Sequence, residues 1–164
     1  MANAATEQAI IRQVMAEKDI DPATVPSEDH IRDPSNLDSI KGSRRYFRTK
    51  AFARFPRHRV KVPGCGRTWP SAHAWSVMDL KEQRICHRYS QECQKCEGAG
   101  DPVYDEDAIR RMAEWACDEY LVRVGRKSRE PHFGIGTPEV DESSQPHDNR
   151  RCDMCRRMGR DCWK

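Results

Sequence analysis

His147-Asp148-Asn149-Arg150-Arg151-Cys152-Asp153-Met154-Cys155-Arg156-Arg157-Met158-Gly159-Arg160-Asp161-Cys162 is the stretch on which the reading of this chain turns. It gathers one imidazole and three thiols within 16 residues. Two residues between Cys152 and Cys155 let a tight turn aim both thiolates at one ion, at about 2.3 Å if the ion is zinc. A second pair with the same spacing, Cys93-Gln94-Lys95-Cys96, lies upstream, and 27 residues separate it from Cys65. The spacing admits two pairings. In the local one, Cys65, Cys93 and Cys96 share one ion while His147, Cys152, Cys155 and Cys162 share another. In the interleaved one, Cys152 and Cys155 close on an earlier pair. The local arrangement is the favoured expectation. Cys86 and Cys117 fall outside both patterns and are expected to be small buried hydrophobes.

Working outward, the composition explains why metal matters. Apolar residues make up 37% of the 164, charged residues 34% and aromatics only 7%, which is enough for one modest core. Either part of the chain is disordered or something besides burial holds it together. No apolar run approaches the 18 residues a membrane helix needs, and the N-terminus has neither a basic patch nor a secretory apolar run. The expectation is a soluble, cytoplasmic protein without a membrane anchor, and the basic cluster at 54–61 also permits nuclear entry. Thiols in a reducing compartment point to metal rather than disulfides.

Residues 1–43 carry a net charge of −4. Ile10, Ile11, Val14 and Met15 predict a helix over 5–18, stopped by Asp19-Ile20-Asp21-Pro22. Residues 20–43 have no apolar period and are expected to form a flexible acidic arm. Residues 44–61 then carry +8 with no acid. Val60 and Val62 alternate with Lys61, and 72–78 and 84–89 predict a β-hairpin across the polar turn Asp79–Gln83. Asp105 opens the strongest helix, with Ile109, Met112, Ala113, Ala116 and Tyr120 on one face and Gly125 at its end. Residues 126–149 read as a polar loop, and 150–164 are again basic, at +4. The fold class expected is a small zinc-stabilised α+β domain: a β-hairpin or ribbon, one main helix and a C-terminal zinc knuckle. The zinc-binding domain should span 55–164, preceded by the 1–43 arm and the basic aromatic segment 44–61.

Cys65-Gly-Arg-Thr-Trp69-Pro-Ser71, Gln91-Glu-Cys93-Gln-Lys-Cys96, Pro102, and Pro146-His147 leading to Cys152, Cys155 and Cys162 together resemble the 3CxxC-type zinc finger. That family includes the zygote-arrest proteins, the receptor-transporting proteins and many fungal proteins. The resemblance covers roughly 55–163. The helix after Pro102, with Arg110, Arg111 and Trp115, is similar to fungal members, and the C-terminal run is similar to the zygote-arrest proteins. The chain departs from the family at one place, where Val62-Pro-Gly-Cys65 stands for the first CxxC. The C-terminal zinc site therefore has its four ligands, and the first is short of one. Cys86, His73 and His58 lie about 13–20 Å away along the strands. Cys117 or His132 could be supplied by tertiary folding, and water could complete three thiolates.

No enzyme is expected. The deaminase signature is absent, since Glu92 rather than Pro precedes Cys93 and Ala74-Trp75 follows His73. There is no H-E-x-x-H, G-x-S-x-G or Walker loop, and no small-molecule substrate is evident. The expected role is nucleic-acid binding. Arg44, Arg45, Arg48, Lys50, Arg54, Arg57, Arg59 and Lys61 interleave with Tyr46, Phe47, Phe52 and Phe55. Cations of this kind neutralise phosphates while aromatics stack on unpaired bases. Arg156 and Arg157, with Arg150, Arg151 and Arg160, decorate the C-terminal knuckle likewise. The resemblance to the zygote-arrest proteins implies single-stranded RNA, and the receptor-transporting branch implies the alternative, a protein-interaction adaptor. Trp69 and Trp75 are expected in the core under the hairpin.

Overall fold

The computed structural model describes residues 2–52, 58–61, 68–70, 73–93, 95–96, 98–129 and 149–162. Its elements run α1 (Ala4–Glu17), β1 (Tyr46–Phe52), β2 (His58–Lys61), β3 (Thr68–Pro70), β4 (His73–Asp79), β5 (Arg84–Arg88), β6 (Gln91–Glu92), β7 (Ala99–Tyr104), α2 (Glu106–Arg123) and α3 (Asp153–Met158). The chain is α+β. Every strand pairing is antiparallel, in a three-stranded sheet ordered β1-β4-β5 and a four-stranded one ordered β3-β2-β7-β6.

The β1-β4-β5 sheet separates two cores, and side-chain alternation along its strands decides which residue enters which. Phe47, Ala51, Ala74, Met78 and Leu80 face α1 and α2. Tyr46 and Val77, with the half-buried Trp75, face the other way. The β4–β5 hairpin slips register between Val77 and Met78, so that Val77 opposes His87 and Met78 opposes Ile85. Cys86 is the extra residue of this bulge, and its thiol donates to the Val77 carbonyl at 3.4 Å. The turn is fixed by Asp79, whose Oδ1 accepts the Lys81 and Glu82 amides at 3.0 and 3.2 Å.

The first core forms because two amphipathic helices close over the sheet. Asp105 caps α2 by accepting the Ala108 amide at 2.8 Å, and Gly125 follows the helix at φ +76°, a left-handed conformation that costs glycine little. Ile109, Met112, Ala113 and Ala116 are buried beneath it. Helix α1 is capped by Asn3 and lays Ile11, Val14 and Met15, each fully buried, against α2. Each such side chain contributes about 1.5–3 kcal/mol of burial. Polar clasps add direction: Lys18 to Asp118 at 2.9 Å, Arg110 to Glu17 at 2.6 Å, and Arg88 of β5 to Glu7.

Residues 20–43, read from the sequence as a flexible acidic arm, supply side chains to both cores. Ile20 and Val25 enter the first core, Ile31 and Ile40 the second. Between them the polar residues make local turns. Asp21 accepts from the Ala23 amide, Asp33 from Ser35, and Asn36 from Asp38. Apolar residues spaced without a period drop singly into gaps in a scaffold built by other elements. Their spacing therefore gives no helix or strand signal.

Candidate metal centre and its basic surroundings

The C-terminal knuckle is placed by backbone. Cys152 bridges to Gln91 as an isolated antiparallel pair, and the Asp153 amide donates to the Ser90 carbonyl at 3.0 Å. Arg151 reaches the Cys93 carbonyl at 3.2 Å, and Arg156 pairs with Glu92. Cys152 then starts α3, which ends after one and a half turns at Gly159 in the left-handed region, at φ +63°. The chain returns, and Cys162 arrives beside the other two.

The Sγ atoms of Cys152, Cys155 and Cys162 all lie within 4.8 Å of one another, with Cys152 and Cys162 at 4.0 Å. A tetrahedral ion bound at about 2.3 Å to each sulfur sets its ligands about 3.8 Å apart. A disulfide needs about 2.05 Å, far less than the 4.0 Å between the Cys152 and Cys162 sulfurs. Each is buried, at 3–5% exposure. The Cys162 amide donates to the Cys155 sulfur at 3.2 Å, the kind of bond that steadies a thiolate. The Cys162 thiol is raised well above its ordinary range by the hydrogen-bonded Cys152 and by burial, and Cys155 is raised by burial. Three thiols this close cannot all ionise together unless a cation joins them. Soft, buried sulfur donors in this geometry suit zinc. Bound there, it would supply a closed structural crosslink.

Cys93 and Cys96 are not members of this group. Cys93 is buried and Cys96 exposed, and the knuckle bond from the Lys95 amide to the Cys93 sulfur, at 3.4 Å, is present. Cys65 and His147, the remaining expected ligands, lie outside the described residues, as do Val62 and His132. Cys117, one candidate substitute for the missing ligand, is instead buried in the first core on α2. Burial pushes the Cys86 and Cys117 thiols up to about 12, which suits inert hydrophobes.

A buried three-cysteine knuckle clamped to a β-ribbon defines a zinc-binding domain. The 3CxxC zinc-ribbon family profile, described as a zinc-binding domain, matches residues 50–158, and the chain belongs to that family. No curated protein and no solved structure is detectably similar to the chain. Among the described residues no helix is long and apolar enough to cross a membrane.

The basic segment does not lie as an open strip. Its first half is β1, with Tyr46 and Phe47 buried, so neither ring is available to stack on a base. Arg45 is committed to the fold: Nε and Nη2 bind both Asp79 carboxylate oxygens at 2.9 and 2.8 Å, which raises its pKa further. Arg44 is exposed, its amide held by Glu28. Arg48 and Lys50 share the outer face of β1, each stacked on the Trp75 ring at 4.8 and 4.9 Å. Burial lowers the Lys50 ammonium, against the opposing pull of nearby Cys162. Arg54 and Arg57 lie outside the described residues, and Arg59 and Lys61 belong to β2.

Arg157 pairs with Asp153 at 2.9 Å and sits over the Tyr89 ring at 5.5 Å. Arg48, Arg157 and Arg160 line one groove together with Lys41, Arg123 and Trp115. Sequence reasoning passed over Lys41 and Arg123 as groove residues, because no pattern signals that the arm and α2 meet the knuckle. Trp115 did carry a signal, since it lies off the apolar face of α2.

Proposed function

We propose that the chain is a zinc-stapled, non-enzymatic module that binds single-stranded RNA. The observation that supports this reading most is convergence. The cations of β1 and those of the C-terminal knuckle, far apart in sequence, line one groove as Arg48, Arg157 and Arg160. Such a surface neutralises a phosphate chain without reading sequence. The zinc centre has a positioning role here, because it fixes the strand-like entry and the short helix that carry the knuckle cations.

The test is a salt titration of binding to a labelled oligouridine. A ligand engaging three phosphates on a single strand gives a slope of about −2 in log K against log salt, at about 0.7 per contact. A flat profile, or no binding, removes the RNA reading and favours the alternative of a protein-interaction adaptor.

A further inference from the structure

The groove beside the knuckle has a floor and walls that no single segment supplies. It encloses about 780 Å³, within the size range of small-ligand sites. Its cations come from four places: Lys41 from the arm, Arg48 from β1, Arg123 from α2, and Arg157 and Arg160 from the knuckle. Asp33 and Asp38 also line it, but Asp33 is occupied by Ser35, whose amide and hydroxyl it accepts at 3.0 and 2.6 Å. Among the described lining residues five cations thus face two carboxylates, with Arg157 and Arg123 further paired to Asp153 and Glu119 outside the lining.

The cations differ in what holds them. Arg48 lies over Trp75, Arg123 over Phe47 at 4.7 Å and Arg157 over Tyr89, so three guanidinium planes are pre-set on aromatic rings. The side chains of Lys41 and Arg160 are exposed and make no hydrogen bond or ion pair among the described residues. Trp115 completes the lining. At 39% exposure it is the one large hydrophobic residue exposed among the described residues. A partly exposed indole lining the same groove as unpaired cations suits a ligand with flat rings and negative charges together. Cations spread over four elements suit a charge repeated along a chain better than one concentrated at a point.

We infer that this groove seats a stretch of single-stranded oligonucleotide, with a base stacked on Trp115 and flanking phosphates on Lys41 and Arg160. The inference rests on the RNA-binding reading and locates it. The tryptophan supplies stacking, which tolerates any base. Lys41 and Arg160 supply charge. Arg48, Arg123 and Arg157, already stacked, form the rigid wall against which the strand lies.

Fluorescence anisotropy with an end-labelled oligouridine, and with an abasic chain of equal length, tests it. Far-UV circular dichroism and a cooperative urea transition verify that each variant is folded, and native mass spectrometry that its zinc is bound. Trp115→Ala weakens oligouridine binding about 5- to 150-fold, the range that loss of one stacked base gives. It leaves abasic binding unchanged, and Trp115→Phe restores most of the loss. The Lys41→Ala/Arg160→Ala pair lowers the salt slope by about 1.4 on either probe. Wild-type affinity and slope in all these variants would overturn the groove while leaving RNA binding to another basic surface. Equal loss on both probes in Trp115→Ala would overturn stacking. If the wild type itself ignores oligouridine, the RNA reading falls, and the groove assignment with it.

Discussion

The core beneath α2 and the core beneath the C-terminal knuckle share the β1-β4-β5 sheet yet are made of different material. The first draws on α1, α2, one face of the sheet and Ile20 and Val25 of the arm, and its buried members among the described residues are aliphatic, aromatic, methionine or alanine apart from Cys117. Among the described residues the second has nine buried members, and three of them are the thiols of Cys152, Cys155 and Cys162. The others come singly, as Ile31 and Ile40 from the arm, Tyr46 and Val77 from the sheet, Tyr89 after β5, and Met154 in α3. One face is closed by two helices with continuous apolar stripes. The other is closed by a six-residue helix and an arm without secondary structure at that point, where burial alone is thin. A metal crosslink is the physical substitute for the missing apolar area.

The largest effect expected on this contrast comes from the thiols. Chelation, or Cys155→Ser, removes one zinc and frees the second core. Hydrogen exchange should then rise over 149–162 and around Ile31 and Ile40, while amides of α2 stay protected. Equal exposure of both cores would mean that they unfold as one unit and that the contrast has no thermodynamic meaning. The pH dependence has a definite sign. Because the metal-free thiols are held above their ordinary range, zinc must displace protons, so apparent zinc affinity falls as pH falls. Competition titration with a chromophoric chelator at several pH values reads this directly.

Asp79→Ala should come next, because it strikes the sheet that both cores share. Asp79 is fully buried, and its loss leaves the half-buried Arg45 guanidinium without its carboxylate and the hairpin turn without its acceptor. Breaking a buried pair from one side costs about 3–5 kcal/mol. Urea denaturation should show the loss with zinc still bound. Ile109→Ala tests the first core alone, at about 2–5 kcal/mol. Exchange there should rise before that of the knuckle does. The smallest effect belongs to Tyr89→Phe. The Tyr89 hydroxyl donates to the Ser35 carbonyl at 2.8 Å, and its loss should cost about 0.5–1.5 kcal/mol. The amides of 33–41 should loosen while zinc content is unchanged, which sharpens the claim that the arm is latched to the knuckle.

Much of the architecture was legible in the residues. The 3.6-residue stripe of α2, its Asp105 cap and its glycine stop all stand as read, and so does the β4–β5 hairpin. The CxxC spacing named the C-terminal thiols. The register slip that places Cys86 was not legible, because a bulge depends on what the two strand faces must meet. Nor was the placement of Arg45, whose partner lies 34 residues on. In a run of eight cations it looks like its neighbours.

The sequence by itself determined the metal-binding family, the two long helices and the β4–β5 hairpin between them, and which thiols would gather at the C-terminus, because periodicity and close ligand spacing are local properties of the chain. Tertiary structure alone decided the rest. It turned the arm into packing for two cores, buried Tyr46 and Phe47 instead of offering them to a ligand, and brought Lys41, Trp115 and the knuckle arginines to one groove. Each of these outcomes depends on which surface is left uncovered once distant segments have met.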